Sequence, residues 1–152
     1  LNDDEWLWGG TLDQIEQAIQ FSVRSGHAKA QEGAMLAFGK DGILKKDQIV
    51  TVANYVRSLS GLPTAAGYDA TAGAKLFAEN CASCHGDAGK GNPELGAPNL
   101  TDKIWLYGSD EAALVETITN GRAGVMPAWV GRLDPATVKA LTVFVHSLGG
   151  GK

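Results

Sequence analysis

The chain has 152 residues, 44% of them hydrophobic and 20% charged, with a formal net charge of −4 at pH 7. This is the balance of one or two small globular domains, and its negative sign argues against nucleic-acid binding. No apolar run approaches the length needed to cross a bilayer. The opening Leu1-Asn2-Asp3-Asp4-Glu5 is acidic where a signal peptide is basic. The expectation is a mature chain that has lost its targeting segment, or a piece of a longer one.

In chain order, Trp6, Leu7 and Trp8 interrupt a polar start. Leu12, Ile15, Ile19 and Val23 then recur at helical spacing behind Thr11, a candidate N-cap. Arg24 to Gly33 reads as a loop, followed by the apolar patch Met35-Leu36-Ala37-Phe38-Gly39. Ile49, Val52, Ala53 and Val56 mark a second helix that opens near Lys46 or Asp47 and stops before Gly61-Leu62-Pro63. Asp69 caps a third helix with Ala72, Leu76 and Phe77 on it. Gly86 to Asn99 is a glycine- and proline-rich loop. A further helix covers about Asp110 to Thr119, with Leu114, Val115 and Ile118 inward. The last opens at Asp134-Pro135, with proline in its favoured first position, carries Val138, Leu141, Phe144, Val145 and Leu148, and stops at Gly149.

The chain also resembles itself. Leu1 to Gly9 aligns with Leu100 to Gly108, so that Trp6-Leu7-Trp8 matches Trp105-Leu106-Tyr107. Ile15 and Ile19 match Leu114 and Ile118. Met35-Leu36-Ala37-Phe38 matches Met126-Pro127-Ala128-Trp129, and Tyr55-Val56 matches Phe144-Val145. The expected organisation is therefore a partial domain over 1–62, a linker over 63–68 and a complete domain over 69–152. The first copy lacks everything equivalent to Asp69 through Asn99.

The third helix runs into Cys81-Ala82-Ser83-Cys84-His85, the attachment pattern of a c-type haem. Each thiol adds to one haem vinyl group, and the adjacent imidazole becomes the proximal iron ligand. A redox dithiol or half a zinc site are the rival readings. With only two cysteines a four-cysteine zinc site is excluded, and the βαβ pattern of a thioredoxin is missing. Covalent haem attachment points to the periplasm or its equivalent.

Iron then needs a sixth ligand or an open site. The only thioethers are Met35 and Met126. Met126 precedes Pro127 in a loop of the complete domain and is the expected distal ligand, against the simpler reading of a packed methionine. Met35 packs, or ligates a first haem in a longer parent. His/Met ligation raises the reduction potential and fills the site. A carbonyl partner for the His85 ring is expected; Pro98 is either that partner or a turn proline. Trp105 and Arg122 line the haem or meet a propionate, or else pack and face solvent. His27 and His146 read as surface residues, with His146 a weak alternative ligand.

Taken together, these residues resemble the class I c-type cytochromes: Gly73 and Phe77 before Cys81-Ala82-Ser83-Cys84-His85-Gly86, then Pro98-Asn99-Leu100, Met126-Pro127-Ala128-Trp129, and a terminal helix with Phe144. The resemblance implies an all-α fold in which first and last helices cross, Gly73 permitting the close approach and Phe144 packing there. It implies thioethers at Cys81 and Cys84, His85 as proximal ligand, Pro98 as the carbonyl partner of its ring, and Met126 as distal ligand. The tandem copy narrows the resemblance to the dihaem subunit III of cbb3-type cytochrome c oxidases, through Asp4 to Thr11, Arg24-Ser25-Gly26-His27, Met35 to Leu44 and Asn54 to Gly61. That family passes electrons from a donor cytochrome toward an oxidase core and is tethered by an N-terminal membrane helix. This chain departs from it in lacking both that helix and a first attachment motif.

The function expected is electron transfer through one covalently bound haem c, a second haem requiring a segment not present here. The partners expected are the donor cytochrome and the oxidase core subunits, with no nucleic acid and with the membrane reached only through an absent segment. The chain itself is expected to catalyse no bond chemistry. A haem-based gas-binding or redox sensor is the alternative, and a peroxidase lacks its distal acid–base pair. Residues 1–62 are also open to completing themselves by segment exchange with a second copy.

Overall fold

The computed structural model describes residues 1, 3 and 5–149. Six helices follow one another: α1 (Leu12–Gln20), α2 (Lys46–Leu59), α3 (Ala70–Asn80), α4 (Ala82–His85), α5 (Glu111–Asn120) and α6 (Pro135–Ser147). Among the described residues there is no strand, only three isolated bridges. This is the all-α class that the sequence implies.

Local chemistry starts each helix where the sequence places it. Thr11 accepts from Gln14 N–H while the Gln14 side chain reaches back to Thr11 N–H, a capping box. The carboxylates of Asp69, Asp110 and Asp134 accept from the backbone N–H groups of Ala72, Ala113, and both Ala136 and Thr137. Each cap satisfies donors that the first helical turn leaves open.

The helices gather into two units. Unit 1 comprises residues 1–33, 93–97 and 123–152, and unit 2 comprises 34–92 and 98–122. The packing boundaries thus differ from the repeat boundaries, because each unit draws on both copies. The 63–68 linker lies inside unit 2, and the terminal helix of the second copy, α6, belongs to unit 1.

In unit 1, α1 packs on α6, with Ile15, Val23 and Val138 buried. In unit 2, α2 is central and packs against both α3 and α5. Its core is Phe38, Leu44, Ile49, Val52, Ala53, Val56, Phe77, Leu114 and Ile118. The side chain of Asn54, fully buried, donates to Val50 O and to Glu111 Oε2 and accepts from Ala65 N–H. One amide thereby fastens α2, α5 and the connection that leads to α3.

The helix crossing differs from the one implied by resemblance. Gly73 of α3 faces Tyr55 of α2: a Cβ at position 73 would lie 2.8 Å from Tyr55 Cβ and 3.3 Å from Thr51 O. Phe144, the expected partner of Gly73, is 59% exposed and belongs to unit 1. The reason is the repeat itself. Tyr55 is the counterpart of Phe144, so α2 offers α3 the surface that α6 was expected to offer. The exchange of helix partners is thus between the two copies within one chain.

Candidate haem site

The attachment motif stands at the end of α3. Cys81 ends that helix, its N–H donating to Phe77 O, and the single turn of α4 presents Cys84 and His85 one turn later. Cys81 is half-buried and Cys84 exposed. Burial, and secondarily the neighbouring Cys84 thiol, push the Cys81 thiol up to about 11.

His85 is held on its far side. Its Nδ1–H donates to Pro98 O at 3.0 Å, which leaves Nε2 as the nitrogen to face an iron. Burial pulls the imidazole below its ordinary value, and the Pro98 carbonyl opposes that pull in part. The neutral ring that results is the ligating form. The loop between is pinned at both ends, by Gly91 N–H on His85 O and by Leu100 N–H on Gly89 O.

The methionine of this unit is Met35. It packs against the unit 2 core, and its backbone pairs with Arg122 in an antiparallel bridge, Met35 N–H to Arg122 O at 2.9 Å and Arg122 N–H to Met35 O at 3.2 Å. Met126, the methionine the sequence points to, belongs instead to unit 1. There its N–H donates to Val23 O, and its side chain lines an apolar cavity of about 340 Å³ with Ile19, Trp129, Leu133, Leu141 and Val145. The cause is the exchange already described: Met35 precedes α2 as Met126 precedes α6, and each travels with its helix.

Trp105 and Arg122 both fall in unit 2 with the motif. Trp105 packs against the core, and its indole N–H is buried with no partner. Arg122 lies with its guanidinium 3.9 Å from the centroid of the Tyr107 ring and donates twice to Thr117 Oγ1. Buried donors are nearly always bonded, so the orphaned indole marks where an acceptor of a bound group is missing. A haem propionate is such an acceptor, and the residues present fit a c-type haem.

The other histidines lie in unit 1. His27 stacks on Phe21 at 4.8 Å between centroids and its Nδ1 accepts from Lys29 N–H. His146 is half-buried in the last turn of α6. Among the described residues no group of three or more His, Cys, Asp or Glu side chains is placed to hold a metal ion. None of the described helices is long and apolar enough to cross a membrane.

Sequence reasoning pointed to Met126 and did not place Met35 in the unit of the attachment motif; the repeat alignment makes the two methionines equivalent.

An all-helical unit in which the helix that ends in Cys-x-x-Cys-His crosses a neighbouring helix at a glycine has the features of a class I cytochrome c domain. Residues 68–145 match the family described as cytochrome c oxidase, cbb3-type, subunit III, and the chain belongs to that family. Membership implies covalently bound haem c. The chain is 79% identical over its whole length to the cbb3-type cytochrome c oxidase subunit FixP of Bradyrhizobium diazoefficiens, covering 52% of that protein. It is 62% identical to FixP of Azorhizobium caulinodans, covering 51% of it, and 46% identical to the subunit CcoP of Cereibacter sphaeroides, covering 52%. The chain thus spans about half the length of the curated relatives it matches.

Proposed function

We propose that unit 2 carries a haem c joined to Cys81 and Cys84, ligated by His85 and Met35, and that it relays single electrons toward the catalytic core of a cbb3-type oxidase. The observation that carries this reading is the His85 ring, fixed by Pro98 in a unit whose own thioether, Met35, is pinned to Arg122. When bound, the haem supplies the ferric/ferrous couple. His85 would offer Nε2, oriented by its Nδ1–H bond, and Met35 would supply the thioether, a pairing that favours the ferrous state and disfavours oxygen chemistry. Trp105 would donate its indole N–H to a propionate, and Arg122 holds the Met35 backbone. The chain moves electrons and makes no bonds itself. In the longer parent it faces the periplasm and receives electrons from a donor cytochrome.

Unit 1 repeats the same features without an attachment motif. Met126 lines an apolar cavity. Trp6, the counterpart of Trp105, likewise has a buried indole N–H with no partner. Arg24 lies over Trp8 as Arg122 lies over Tyr107. We infer that unit 1 is the distal half of a second haem site, completed in longer relatives by a preceding segment. The repeats thereby cross-ligate, Met35 serving the second motif and Met126 the first.

The test is the spectrum of the haem-matured chain. One covalent haem with a far-red methionine-to-iron band is expected. Met35→Ala should abolish the band and admit carbon monoxide to the reduced protein, while Met126→Ala should leave both unchanged. The reverse pattern would return the ligand to Met126. Carbon monoxide binding to the unaltered chain would favour the sensor, and no covalent haem would sink the reading.

A further inference from the structure

We propose that Gly121 and Gly39 are positioning residues for Met35: they let the strap that carries this thioether lie directly against the end of α5. The inference rests on the haem reading above. Met35, Gly39, Gly121 and the residues they touch all belong to unit 2.

Residues 35–40 form the strap, and it is tied to the end of α5 on both sides. Met35 N–H donates to Arg122 O at 2.9 Å and Arg122 N–H to Met35 O at 3.2 Å, while Lys40 N–H donates to Thr119 O at 3.0 Å. Between these ties the two backbones touch. A Cβ at position 121 would overlap Met35 O and stand 2.9 Å from both Leu36 C and Ala37 N. One at position 39 would stand 2.8 Å from Thr119 Cγ2 and 2.9 Å from Ile49 Cδ1. Gly121 is also the C-cap of α5, at φ +69°, a conformation that glycine adopts freely and other residues resist. Arg122 is secured in turn, its guanidinium donating to Thr117 Oγ1 at 2.7 and 3.2 Å. The thioether therefore hangs from backbone fixed to α5, and Leu114 and Ile118 fix α5 in the core.

Unit 1, taken by itself, has the same device built from different residues. Ser22, the repeat counterpart of Gly121, lies at φ +63°, a region that residues with a Cβ seldom enter. The next residue, Val23, accepts from Met126 N–H at 3.0 Å, as Arg122 accepts from Met35 N–H. The Ser22 hydroxyl donates to Pro127 O at 2.8 Å. A left-handed residue ahead of each methionine's anchor, present even where it is strained, is the mark of a functional constraint.

A thioether holds ferrous iron better than ferric. A strap lifted from α5 weakens that hold and so favours ferric iron. The experiment is the far-red band and redox titration of the haem-loaded chain, with hydrogen exchange at the Met35 amide. Gly121→Ala should weaken the band, admit carbon monoxide to the reduced protein and speed exchange at Met35. It should move the ferric/ferrous ratio about tenfold toward ferric iron at fixed ambient potential, a size typical of disturbed outer-shell support, which is about 59 mV for one electron. Gly39→Ala should act in the same direction, and it carries the test should Gly121→Ala fail to accumulate. Asn54→Ala frees the opposite end of α5, at Glu111, and should lower the melting temperature while leaving band and potential in place. The proposal is overturned if Gly121→Ala or Gly39→Ala loads haem and keeps the band and potential of the unaltered chain. It is overturned equally if Asn54→Ala moves them as far. Failure of the haem reading shows separately, as an unaltered chain with no covalent haem or a band that survives Met35→Ala, and it removes the proposal too.

Discussion

Enlarging Gly73 tests the exchange of helices on which the ligand assignment depends. In Gly73→Ala the new methyl would stand 2.8 Å from Tyr55 Cβ and 3.3 Å from Thr51 O. Carbon atoms rest at about 3.5–4.0 Å, so α2 and α3 must part by nearly 1 Å at their closest point. Overpacking of this kind costs about 1–3 kcal/mol, and alanine's better helix propensity returns about 1 kcal/mol. The net is about 0–2 kcal/mol of destabilisation, or a melting temperature up to about 8 °C lower for a chain of this size. Tyr55→Ala should cost more, about 2–3 kcal/mol, because it also strips the ring that packs 5.4 Å from Phe77. Phe144→Ala, at 59% exposure, should cost less than about 1 kcal/mol. The assay is thermal unfolding of the haem-loaded chain by far-ultraviolet circular dichroism. A clearly stabilising Gly73→Ala, or a Phe144→Ala costlier than Tyr55→Ala, would mean that α3 does not cross α2. The assignment of Met35 would then fall with the crossing.

Two further outcomes follow from buried groups. Asn54→Ala strands Ala65 N–H and one Glu111 oxygen; it should cost about 2–4 kcal/mol, and hydrogen exchange at Ala65 should accelerate with the fall in melting temperature. Without haem, iodoacetamide at about pH 8 should label exposed Cys84 first. Cys81, its thiol pushed up to about 11, is then only about one part in a thousand thiolate. Its labelling should rise about tenfold per pH unit up to about pH 10, and equal rates at the two thiols, read by mass spectrometry, would contradict its burial.

The local features were legible because their causes are local. A cap needs one side chain and the next turn, so Thr11, Asp69 and Asp134 declare their helices. Cys81, Cys84 and His85 are adjacent in sequence, and the Pro98 carbonyl meets the His85 ring across a short loop. What the resemblance misplaced was the partner of α3, expected at Phe144 and found at Tyr55. Tyr55 and Phe144, or Met35 and Met126, are alternatives of nearly the same chemistry, and no pattern of residues chooses between them. Chain connectivity does. The 60–69 connection between α2 and α3 spans about 10 residues, whereas pairing α3 with α6 closes about 54, a difference of about 1.5 kcal/mol in loop entropy. The clamp from Asn54 to Ala65 adds to that preference. The close approach of Gly96 to the Trp8 ring was illegible for another reason, since nothing in the spacing of two residues so far apart announces contact.

The order of α2 and α3 along the chain also bears on biogenesis. In a cytochrome whose first and last helices cross, the thiols leave the ribosome and the membrane before the helix that will lie across them exists. Here that helix is made first. Met35 and α2 have emerged when Cys81 arrives, and synthesis runs N-terminal first. The stretch with the attachment motif is therefore delivered onto a partner already made, and α5 joins α2 afterwards.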